Sequence, residues 1–240
     1  MTAPRVLAPP LMPSARSGWS TLFEVRRRLG RGWTVIGGQM AQLHSWERGR
    51  GDPRPTTDLD AGLGYREVPG IGVVLTGLLR DLGYRAGTIS PDGPQVRWVR
   101  EGSEIDVLIP RGSGRPRYDV GGGRRLMESH GIQQALDRTE EIELVLHTGE
   151  SGLLPRPRLF GSLIAKCAAL SNTADTPDRH LYDIGVMAEM LEPGDLAREN
   201  ITRRDRVHLG RALDRWEQGR GAWRDLYPRA LPALEQVLNS

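Results

Sequence analysis

A single cysteine, Cys167, stands in a chain of 240 residues, so no disulfide can form within it and a reducing compartment is expected. Lysine is equally scarce: of 33 basic residues only Lys166 is lysine, and the rest are arginine. Arginine, glycine, alanine and proline are all abundant, which points to base composition as the general cause of the excess. Arginine is a planar fork and lysine a compact point charge, so one lysine kept against that background marks a place that wants the second geometry. No stretch approaches the ~18 apolar residues of a membrane span, so no membrane helix and no membrane partner are expected. A dominant charge sign is missing too, since the net charge of +3 does not by itself announce nucleic acid. The proline-broken start from Met1 to Pro13 does not read as a signal peptide; residues 1–16 are expected to form a loose tail, and a cytoplasmic location follows.

What is present suffices for a sizeable core: 38% hydrophobic residues can fill one domain or two tightly packed ones. Leu22, Val25 and Leu29 recur at helical spacing in Thr21–Leu29, before a Gly-Arg-Gly stop. Trp33 to Ile36 reads as a short strand, Gln39 to about Ser45 as a helix, and Thr57 to about Leu63 as a second strand. Val74, Leu75, Leu78, Leu79 and Leu82 would share one face of a core-covering helix over 73–82. Residues 96–100 and 105–109 read as a hairpin around Glu101-Gly-Ser, and Glu141–His147 alternates like a strand. From Arg158 onward the pattern is helical, with Trp216 and Trp223 as packing anchors.

The chemistry concentrates in Arg54-Pro-Thr-Thr-Asp58-Leu-Asp60, which follows the apolar run ending in Gly37-Gly38. In an extended segment residues i and i+2 share a face, so Asp58 and Asp60 would present two carboxylates side by side. Like charges so close call for a cation, and hard oxygen ligands suit Mg²⁺, which takes one or two carboxylates plus substrate phosphates. Paired glycines leave a backbone that a phosphate can approach. The competing reading is an edge-strand turn on an ordinary α/β domain. Asp106, set between apolar neighbours in Glu104–Ile109, is either a third carboxylate for the same site or a solvent-facing residue on an edge strand. Lys166, the one charge in the apolar run 159–170, either snorkels to solvent or serves a site. Gly/Arg-rich residues 111–125 read as a solvated loop or as contacts to phosphate or RNA. His44, His130, His147 and His208 lack metal-ligand spacing and read as structural or surface residues.

Trp33-Thr-Val-Ile-Gly-Gly38, the helix Gln39–His44, and Arg54-x-Thr56-x-Asp58-x-Asp60 together resemble the nucleotidyltransferase superfamily that includes polymerase-β-like enzymes. The wording is closest to the AbiEii-like branch, whose members include toxins of toxin–antitoxin pairs, although the segment between the glycines and the aspartates is longer than that pattern. The resemblance resumes at Lys166-Cys-Ala-Ala169 and at Arg179-His-Leu-Tyr-Asp183-Ile, where His180 stands in place of a common acidic residue.

The resemblance implies an α/β (α+β) fold: a nucleotidyltransferase domain over 17–150 with a short mixed sheet flanked by helices, and a mostly helical C-terminal domain over 151–240. It implies Mg²⁺ held by Asp58, Asp60 and Asp106, and a catalytic set completed by Lys166 and Asp183. Gly37, Gly38, Arg54, Thr56 and Lys166 would bind the NTP. The acceptor would be the 3′ end of a tRNA, or a small hydroxyl compound as in antibiotic-modifying members, and an antitoxin protein or kinase would be a partner. A catalytically idle module that holds nucleotide or a protein is the reading from another class.

Overall fold

The computed structural model describes residues 3–87, 97–112, 126–171, 177–218 and 223–239. The chain opens with β1 (Arg5–Leu7), α1 (Pro13–Leu29), β2 (Trp33–Ile36), α2 (Gly38–Arg48), β3 (Leu59–Leu63) and α3 (Ile71–Asp81). It continues through β4 (Arg85–Ala86), β5 (Arg97–Arg100), β6 (Ser103–Pro110), β7 (Met127–Ser129), α4 (Ile132–Leu136), β8 (Thr139–Val145) and β9 (Ser151–Pro157). The rest is helical: α5 (Leu159–Ala169), α6 (Pro177–Met190), α7 (Pro193–Leu196), α8 (Arg203–Gln218), α9 (Trp223–Leu226) and α10 (Ala230–Asn239). This is the expected α/β class, with mixed sheets flanked by helices and a helical C-terminal part.

Two sheets are present among the described residues. One runs β2-β3-β6-β5-β4, with β7 paired to the later part of β6; the other runs β1-β8-β9. The central β3–β6 pairing is parallel, while β2–β3 and β5–β6 are antiparallel. The β5–β6 turn is made by Glu101 at φ 48° and Gly102 at φ 78°. Positive φ at both central residues is the two-residue hairpin geometry whose twist suits the flanking strands. That turn locks Arg97 opposite Asp106 and Arg100 opposite Ser103.

The N-terminal segment is not a loose tail. Val6 is fully buried and pairs with Leu144 in the parallel β1–β8 ladder. α1 begins at Pro13, eight residues before the periodic stretch, because proline is well suited to a first helical turn, where an N–H has no partner to lose. The expected boundary at 150/151 also shifts. It falls in the β8–β9 turn, whose strands pair from Thr139↔Pro157 to Val145↔Ser151, so β9 belongs with the N-terminal part.

Two cores result, divided after β9. The larger lies under the sheets and includes Trp19, Leu22, Val25, Trp33, Leu63, Leu79 and Trp98. The second joins α5, α6, α8 and α10 through Phe160, Leu163, Ile184, Met187, Leu209, Trp216 and Leu234. Trp216 is the anchor expected; the side chain of Trp223 lies outside the described residues. A small cluster of Ile36, Met40, Leu108, Ile132, Ala135 and Ala165 connects the two halves. On α3 the buried face holds Leu75, Leu78 and Leu79, as the periodicity predicts, but Val74 is 56% exposed. The helix begins at Ile71, and it is Ile71 that fills the place assigned to Val74.

Candidate metal centre

The site is assembled where β2 ends. Ile36 pairs with Asp60 across the β2–β3 ladder, and the chain then turns through Gly37 at φ 74° into α2. A Cβ on Gly37 would lie 1.6 Å from Asp60 Oδ2, so the glycine is demanded by the aspartate it faces as well as by the turn. A Cβ on Gly38 would come within 2.7 Å of Arg54 Nη2. α2 also positions the segment that leads into β3. Gln39 Nε2 donates to the carbonyls of Thr56 (3.3 Å) and Asp58 (3.0 Å), and Gln42 Nε2 donates to that of Arg54 (3.1 Å).

Asp58 sits just before β3 and Asp60 within it, while parallel pairing puts Asp60 directly opposite Asp106 on β6. One carboxylate oxygen from each of the three lies within 4.8 Å of the others, a group that could hold a metal ion. Electrostatics express the crowding. Asp60 is pushed up to about 8, first by burial and then by Asp106 and Asp58, with Lys166 and Arg54 pulling the other way. For Asp58 burial is the largest influence and raises the pKa, yet the Thr56 hydroxyl, donating at 2.6 Å, and the nearby Arg97 hold it below the usual carboxylate range. A cation held among the three carboxylates would offset the repulsion at Asp60.

Opposite the acids is a second charged array. Lys166 is 4% exposed on the wholly buried α5, which excludes snorkelling. Its Nζ lies 2.6 Å from Asp183 Oδ2, and Arg54 Nε lies 3.1 Å from Asp183 Oδ1. Asp183, on α6 and fully buried, is therefore a counter-ion for two cations and not a surface charge. The array leaves one net positive charge beside the carboxylates.

These groups line a cleft of about 270 Å³ that includes Gly37, Gly38, Arg54, Thr56, Asp58, Asp60, Asp106 and Lys166. Asp183 alone of the expected site residues lies behind the wall. The same cleft is lined by Arg97, Ser129, His130, Arg179 and His180, which the sequence did not single out as site residues. Arg97 was legible: the Glu101-Gly102 turn sets its register against Asp106. His130, expected as a structural or surface residue, lies at the cleft surface, where β7 and α4 meet, and its ring bonds Arg111. His44 is structural, buried with Nε2 3.1 Å from both Pro157 O and Ser162 Oγ, and burial pulls its pKa down to about 4. Most of the Gly/Arg-rich stretch, 113–125, lies outside the described residues.

Set against family models, curated proteins and solved structures, the chain matches none of them.

Proposed function

We propose that this chain is a Mg²⁺-dependent nucleotidyltransferase that moves a nucleotidyl group from an NTP to the 3′ end of a tRNA. The observation that carries the reading is one cleft lined by three clustered carboxylates, a glycine-led helix N-terminus, and Lys166 and Arg54 with Asp183 behind them. Asp58, Asp60 and Asp106 offer hard oxygen donors of the kind Mg²⁺ takes alongside substrate phosphates. Bound Mg²⁺ would offset triphosphate charge and polarise the phosphorus–oxygen bonds.

This chain's residues do the rest by positioning. In this reading α2, whose N-terminal residues Gly37 and Gly38 line the cleft, would offer its first N–H groups to phosphate oxygens. Lys166 and Arg54, with one of their two charges balanced by Asp183, supply the remaining positive charge to the polyphosphate. The acceptor hydroxyl oxygen bonds to the α-phosphorus while the bond from that phosphorus to the bridging oxygen breaks. Pyrophosphate leaves with the electron pair, and the hydroxyl proton passes to a carboxylate, with Asp106 the candidate base.

A polyanionic acceptor is favoured over a small molecule by the arginines at the rim. Arg179 lines the cleft, and Arg204 and Arg211 face His130 closely enough to add to burial in depressing its pKa. All three are exposed and have no carboxylate partner among the described residues, whereas Arg26, Arg48, Arg50, Arg138 and Arg158 each have one. Unpaired arginines beside an active cleft suit a phosphate backbone. Capping a tRNA end would block translation, and the chain would then be the toxin of a toxin–antitoxin pair, opposed by an antitoxin protein or a kinase.

Incubating the protein and Mg²⁺ with total RNA and each α-labelled NTP in turn tests the reading. Label should enter RNA with the native protein and not with Asp58→Ala or Asp60→Ala. Absence of transfer from all four NTPs, or undiminished transfer by either variant, would overturn it.

A further inference from the structure

Arg97 projects from β5 across the hairpin onto two of the three candidate metal ligands. Its Nε donates to Asp106 Oδ1 at 2.9 Å and its Nη2 to Asp106 Oδ2 at 2.9 Å, a two-pronged grip on one carboxylate. The same Nη2 reaches Asp58 Oδ2 at 3.4 Å, and Nη1 lies 2.6 Å from Glu104 Oε2. Asp60, the most strongly destabilised of the acids as an anion, is not among these contacts. The guanidinium thus acts as a cation already present at one side of the carboxylate cluster.

A divalent ion on Asp58, Asp60 and Asp106 would compete with Arg97 for the same oxygens and repel it. Among these contacts with described residues, the one to Asp58 is the longest and the first to give way. Arg97 can move: its side chain is 42% exposed, unlike Lys166 at 5%, and it lines the cleft. A guanidinium released there finds a polyphosphate, whose anionic oxygens match its planar fork as well as a carboxylate does.

We infer that Arg97 is an exchange arm, holding Asp58 and Asp106 before metal binds and turning to the polyphosphate tail when metal and nucleotide bind. The inference rests on the nucleotide reading above and deepens it by assigning the tail a ligand. A fixed ion pair that only joins β5 to β6 would have no such double role.

The two roles pull metal and nucleotide affinity in opposite directions, and that sign pattern is the test. Mn²⁺ binding to the full chain without nucleotide, followed by paramagnetic resonance, should be several-fold tighter in Arg97→Gln than in the native protein. Under saturating Mg²⁺, the same variant should bind the α,β-methylene analogue of the preferred NTP ~10–100-fold more weakly, the range for losing a charge-assisted hydrogen bond. Arg97→Lys keeps the charge without the fork and should fall between on both scales; it also serves if Arg97→Gln does not fold. Mn²⁺ binding that is unchanged or weaker in these variants, with native nucleotide binding intact, would overturn the exchange and leave the nucleotide reading standing. Failure of the native protein to bind any analogue would overturn the nucleotide reading and the loaded half of this inference together.

Discussion

Replacing Asp183 with asparagine should unfold the protein at a markedly lower temperature, and by more than replacing Lys166 with methionine. Asp183 is fully buried and answers two cations, Lys166 at 2.6 Å and Arg54 at 3.1 Å. Neutralising it leaves both positive charges facing each other in a space with little water. Breaking a buried ion pair by removing one partner costs about 3–5 kcal/mol. In a chain of this size each kcal/mol moves Tm by about 2–4 °C, so the expected drop is roughly 6–20 °C. Lys166→Met is milder, because Asp183 keeps Arg54 and methionine fills the apolar channel of α5. One lost charge-assisted bond costs about 1.5–3 kcal/mol, or roughly 3–12 °C. The two changes touch one network, so the double variant should lose at least about 1 kcal/mol less than the sum of the singles. Thermal and urea unfolding of the three variants in metal-free buffer provides the assay. A larger loss in Lys166→Met than in Asp183→Asn, or strict additivity, would refute the view of Asp183 as the shared counter-ion.

Lys166→Arg should fold but lose most transfer activity, since a bulkier fork at a site 5% exposed displaces the charge, and a shift of ~1 Å can cost ~100-fold in rate; single-turnover kinetics read this directly. Asp60→Asn should raise metal-free stability at high pH. With its folded pKa pushed up to about 8, Asp60 keeps a proton that the unfolded chain, titrating near ~4, has lost, so native stability falls as pH rises through that window. The variant's advantage in Tm should therefore be small at the acid end, grow towards pH 9, and vanish or reverse when Mg²⁺ is added. Gly37→Ala should abolish Mn²⁺ binding, because its methyl would occupy the position of Asp60 Oδ2, whereas Gly49→Ala meets no atom within 4 Å and should cost only the ~1–2 kcal/mol of left-handed backbone strain. Isothermal titration of Mn²⁺ into both proteins distinguishes the two cases.

Local chemistry in the sequence was enough to set Asp58 beside Asp60 and to mark the turn at Gly37-Gly38, because i,i+2 spacing and a glycine turn act over a few residues; the β2–β3 ladder brings the two together. The class of fold was legible for the same reason, through short apolar runs and helical periodicity. The N-terminal strand was not: a three-residue segment such as Arg5–Leu7 has no pattern of its own and exists only because β8 offers an unpaired edge. Lys166 drew notice as the only lysine, yet whether it reached solvent or a partner depended on Asp183, seventeen positions away on another helix. Asp106 gained its meaning only when parallel pairing set it beside Asp60. Arg97 follows from the register of a local hairpin, but His130 and Arg179 join the cleft through packing between segments that no local spacing encodes. Residue types and short spacings determined which chemistry the chain could carry; tertiary structure alone decided which charges meet, because ion pairing and desolvation depend on distances that only the packed chain defines.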